Sequence, residues 1–155
     1  MDRHCGDTAT WVAFMAIVLL VACSGPPSKG TDTQSTAFGS KEEKLKFLRK
    51  YLTHMEGVRD AEYHIFVQDN GAGLVPGPSD YSMTVALLVH PDSLVLWTQN
   101  CAGKDTLFDA GPWRQVMPGF DWPVTDTALV CRPEPGVEKI IYRNSGVVLA
   151  HYRTN

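Results

Sequence analysis

The sequence predicts an α+β fold, in which an N-terminal amphipathic helix packs on an antiparallel sheet of about four to five strands held by one disulfide. Three patterns predict it. Leu45, Leu48, Leu52 and Met55 recur at spacings of 3, 4 and 3, one face of a helix. The stretches AEYHIFVQD and YSMTVALLVH, at 61–69 and 81–90, carry apolar residues with a period of two. Two further apolar runs flank Asn144-Ser145-Gly146, as strands flank a hairpin turn.

The helix is expected over about 41–56. Ser40 and Glu43 form an S-x-x-E capping box, lysines and arginines cover the polar side, and Gly57 suits the C-terminal stop. In the first strand Ala61, Tyr63, Ile65 and Val67 share one face, and Glu62, His64, Phe66 and Gln68 share the other. In the next, Tyr81, Met83, Val85, Leu87 and Val89 form the apolar face. A short helix is expected at DSLVLWTQ, with irregular chain around it between Pro91 and Gly119. Strands at TALVC, VEKIIYR and VVLAHYR complete the meander.

Ahead of this domain lies the apolar run WVAFMAIVLLVA, Trp11 to Ala22. As a helix it is about 18 Å long against a hydrocarbon core of about 30 Å, which suits the apolar region of a secretory signal rather than a span. Leu20-Val21-Ala22-Cys23 resembles the lipobox of bacterial lipoproteins. The resemblance implies that 1–22 is a signal peptide and that Cys23 becomes the lipidated first residue, anchored in the membrane by its acyl chains. Ser24 at the next position implies the outer membrane, facing the periplasm, in a Gram-negative cell. In a Gram-positive cell it implies the outer face of the plasma membrane. An uncleaved anchor or a buried N-terminal helix are the alternatives. The segment 23–39 is rich in Ser, Thr, Gly and Pro and reads as a flexible tether with a reach of about 20–24 Å. Residues 40–155 then form a single globular domain.

Without 1–22 the chain has 133 residues and a net charge of −2. With acidic residues outnumbering basic ones, nothing suggests a nucleic acid as a partner, which would need Lys and Arg concentrated in excess. Cys101 and Cys131 are an even pair in a chain expected to be exported, and a disulfide between them would contribute about 3–4 kcal/mol. Two free buried thiols are the alternative. No C-x-x-C or close Cys/His pair suggests a metal, and no cofactor is expected.

Three places could carry function. The first is DNGAGLVPGPSDY, at 69–81, far longer than a hairpin needs, with Pro76, Gly77, Pro78, Asp80 and Tyr81 as candidate binding residues. Its VPGPSDY part resembles a stretch of small bacterial lipoproteins and secreted proteins, a resemblance that implies no activity. The loop could equally just close the end of the sheet. The second is GPWRQVMPGFDWP, at 111–123, where Trp113 and Trp122 could bind a partner or could cap the core. The third is Glu62 and His64, with Asp69 or Asp80, which could share a proton or hold a metal. No G-x-S-x-G, phosphate-binding Gly loop or H-E-x-x-H is present.

The expectation is a lipid-anchored, non-enzymatic protein-binding module of the cell envelope with a protein partner there. The alternatives are an immunity protein that neutralises a toxin in the periplasm, and an envelope hydrolase or metal-dependent enzyme centred on Glu62 and His64.

Overall fold

The computed structural model describes residues 29–69, 79–120 and 127–154. The lipobox, Pro76, Gly77, Pro78 and Trp122 lie outside them. Seven strands form one sheet: β1 (Lys29–Gln34), β2 (Val58–Asp69), β3 (Asp80–Val89), β4 (Lys104–Leu107), β5 (Thr127–Glu134), β6 (Val137–Tyr142) and β7 (Val147–Arg153). The helices are short: α1 (Lys41–Leu48), α2 (Leu94–Trp97) and α3 (Gly111–Val116). Strand order is β1-β2-β3-β7-β6-β5-β4, and every neighbouring pair is antiparallel. Two meanders, β1–β3 and β4–β7, are therefore joined where β3 pairs with β7, from Ser82 opposite Arg153 to Leu88 opposite Val147.

This corrects the expected α+β arrangement of one helix on four to five strands. The sheet is longer, the helices are minor, and both sheet faces are covered. Leu48, Tyr63, Ile65, Val85, Leu87, Ile141 and Val148 pack on one side, face A, with α1 and α2. Ala86, Trp113, Met117, Ile140, Tyr142 and Leu149 pack on the other, face B, beneath α3. Consecutive residues Ile140 and Ile141 point to opposite faces and are both fully buried.

The tether expectation is also corrected in part. Residues 29–34 are the edge strand β1, with Lys29 opposite Asp69 and Gln34 opposite His64. KGTDTQ has no apolar alternation, and its backbone groups find partners on β2.

Helix α1 starts as read. Ser40 is extended at φ −137°, its Oγ accepts the Glu43 N–H at 3.2 Å, and Glu43 Oε2 accepts the Gly39 N–H at 3.1 Å. It stops at Leu48 rather than near residue 56, because the next turn tightens to Lys50 N–H to Phe47 O and Tyr51 N–H to Leu48 O. Leu52 is still buried, packed from the turn rather than from a helix.

Cys101, after α2, is bonded to Cys131 on β5 with Cα atoms 5.3 Å apart. The bridge ties the α2–β4 connection to the sheet. Gly146 takes φ +71° between β6 and β7, and its carbonyl accepts the Val89 N–H at 2.7 Å. It marks the end of the sheet opposite to Asp69, Asp80 and Arg153.

Candidate functional site

Face B carries a polar row set by strand register. Gln34, His64, Thr84, His151 and Glu138 stand opposite one another from β1 across β2, β3 and β7 to β6. Directly opposed residues share a face, so the five side chains line one strip. His64 Nε2 lies 2.6 Å from Asp32 Oδ1. Thr84 Oγ1 lies 3.1 Å from His151 Nδ1. Glu138 Oε1 accepts from Arg132 Nε at 3.0 Å and Nη2 at 2.7 Å, a fork-like grip.

Beside this row opens a groove of about 880 Å³. Thr84, Trp113, Arg132, Glu138, His151 and Arg153 line it together with the β5–β6 turn at 133–137. The turn proper is Pro135-Gly136, with Gly136 at φ +78°. Pro133 has no N–H for the ladder, and the β5–β6 register shifts between Cys131 and Glu134, as at a bulge, before pairing resumes at Glu134 opposite Val137.

Trp113 forms the opposite wall. Gly111 N–H donates to Asp109 Oδ1 at 2.8 Å, Pro112 occupies the first turn, and the Trp113 and Arg114 N–H groups both reach Ala110 O at 3.0 Å. These contacts turn the indole inward over Ile140 and Leu149. It is 7% exposed and meets the His151 ring edge-on, with centroids 6.3 Å apart and planes at 88°. The segment expected to be irregular is thus a helix, and Trp113 serves both the core and the groove.

Burial lowers the His151 pKa from its usual 6.5, Arg153 lowers it further, and Glu138 opposes both. The imidazole at the groove floor is neutral near pH 7. Among the described residues Arg153 has no carboxylate within ion-pair distance, so its guanidinium is the cation of the groove that remains open to a ligand.

The residues expected from sequence are not brought to one place. Glu62 is held at the open end of β1 by Lys44 Nζ and Ser35 Oγ, while His64 meets Asp32. Asp69 lies on face A, at the far end of β2 from Glu62, and Asp80 stands opposite Gln68, four positions along the strand from His64. The expected constellation of Glu62 and His64 with Asp69 or Asp80 is therefore not assembled. Tyr81 also faces A, away from Trp113, and stacks on Tyr51 with centroids 6.2 Å apart. Burial, with Tyr152 and Tyr51 nearby, pushes its phenol up to about 12, and its hydroxyl donates to Met83 Sδ at 3.3 Å. Among the described residues no group of three His, Cys, Asp or Glu side chains could hold a metal ion.

Sequence reasoning missed Thr84, Arg132, Glu138, His151 and Arg153. Each looks like an ordinary polar residue on a strand, and only the β3–β7–β6 register, which joins distant parts of the chain, places them together. No protein-family model, curated protein or solved structure matches the chain.

Proposed function

We propose that this chain is a lipid-anchored protein of the cell envelope, on its periplasmic side, that holds a protein partner in the face-B groove without catalysing a reaction. The Cys101–Cys131 bridge carries the reading. It suits an oxidising compartment and occupies both cysteines of the folded domain, and of Cys5 and Cys23, Cys23 is the one that stands in the lipobox-like Leu20-Val21-Ala22-Cys23. The groove supports the binding half of the reading. Its wall is an indole supported by the core, its rim is a guanidinium with an open face, and Trp and Arg are the residue types that dominate binding hot spots. An enzyme centred on Glu62 and His64 is the less favoured reading, because Lys44 and Asp32 already engage those two side chains.

A photo-crosslinking amino acid at Thr84, in protein kept in its native envelope, should trap a discrete partner. Arg153→Glu should reduce the adduct at least tenfold while the unfolding midpoint stays within about 1 °C, since Arg153 is exposed. Crosslinking from Thr84 no stronger than from Val95, exposed on the outer side of α2, would remove the groove from the proposal.

A further inference from the structure

The covalent path from the lipid to the fold limits how the domain sits on a membrane. Five residues, 24–28, separate Cys23 from Lys29, the first residue of β1. Six Cα–Cα steps span at most about 22 Å. Lys29 is opposite Asp69, at one end of β2. Strand β2 has 12 residues and is therefore about 40 Å long. The end of the sheet marked by Val58, Val89 and Gly146 lies almost twice as far from Lys29 as the leash can reach. A lipid on Cys23 thus holds the Asp69 end close to the bilayer.

The segment that follows α1 reaches toward that end through Tyr51 on Tyr81, and with the last turn of α1 it has the chemistry of a headgroup contact. Lys46 lies in the last turn of α1, and Arg49 and Lys50 follow it, all exposed. Among the described residues none of the three has a carboxylate within ion-pair distance. Lys50 Nζ instead sits 5.0 Å from the centre of the Phe47 ring. Tyr51 is 37% exposed and lies against Tyr81, which opens β3 beside the Asp69 end. Exposed cations beside tyrosines are the pairing that anionic headgroups favour: the cations by charge, the rings because they are apolar with a polar edge.

Resting on the lipidation proposed above, we infer that the corner built by Lys46, Arg49, Lys50, Tyr51 and Tyr81 lies on the anionic phospholipid surface to which Cys23 is anchored. The domain stands with its Asp69 end toward the membrane. The Gly146 turn and the exposed Val95 and Leu96 point away from it.

The test uses the full chain purified from membranes and placed in vesicles of phosphatidylethanolamine and phosphatidylglycerol with headgroup spin-labelled lipid. A fluorescent amino acid replaces Tyr51 in one sample and Val95 in another. The expected result is quenching at position 51 at least threefold stronger than at 95. A Lys46→Glu/Arg49→Glu/Lys50→Glu chain should lose that contrast, and all three positions are exposed, so the fold is kept. Equal quenching at both positions, or contrast that survives the triple substitution, overturns the inference while leaving lipidation intact. The mass of the N-terminal peptide from the same sample separates the cases, because an unmodified Cys23 overturns the lipidation and this orientation together.

Discussion

Replacing Cys101 and Cys131 by alanine is expected to destabilise the domain by about 3–4 kcal/mol. The two cysteines are 30 residues apart, and the loop they close contains β4, α3 and the start of β5. Cutting the bridge returns that loop to the unfolded ensemble, where its closure entropy is no longer removed. Alanine is the right replacement at Cys131, which is 4% exposed and would bury a hydroxyl as serine. β4 should suffer first. Its four residues are all exposed, and among the described residues it is held by pairing with β5 from Lys104 opposite Val130 to Leu107 opposite Thr127 and by the exposed Arg143–Asp105 ion pair. Urea unfolding of the double variant should coincide with that of the wild-type protein under reductant. A loss of less than about 1 kcal/mol in both would contradict the account of the bridge as a main support of this half of the sheet.

Ile140→Ala is expected to cost about 2–5 kcal/mol, as much as a truncation on face A. A sheet with a helix on one face would leave either Ile140 or Ile141 in water, and truncating the exposed one would change stability by less than about 0.5 kcal/mol. Here Ile140 packs under Trp113 and Met117, and Ile141 packs with Leu129 and Val148 on the other side. Paired unfolding curves for Ile140→Ala and Ile141→Ala check this. Comparable losses fit two cores, and a negligible loss at Ile140 contradicts them.

That two-sided burial was visible in part. The run VALLV in β3 and the run VVLA in β7 are continuous rather than alternating, and continuous apolar strands are those covered on both faces. Residues 86 and 88 carry no separate periodic signal, because their neighbours at 85, 87 and 89 already make a complete apolar face. β2, β3, β5, β6 and β7 could be read from sequence because burial imposes a period. β1 and β4 could not. KGTDTQ and KDTL are polar edge strands whose formation depends on the partner strand. The spacing from Leu45 to Met55 overstated α1 because Leu52 is buried from a turn, and periodicity does not separate that from helix. The candidate site was the least legible. His64, Thr84, His151 and Glu138 come from four strands spread over nearly ninety positions, and their side chains meet only through register. Trp113 was the exception, an aromatic whose choice between core and groove resolves as both.

The central claim is that the folded groove domain is carried on a lipidated Cys23. Mass spectrometry of the N-terminal peptide from protein extracted from its own membranes tests this most directly. The account predicts a peptide that begins at Cys23 and carries the added mass of diacylglycerol and a further acyl chain. A peptide that reads through Val21-Ala22-Cys23-Ser24 with an unmodified cysteine would contradict it.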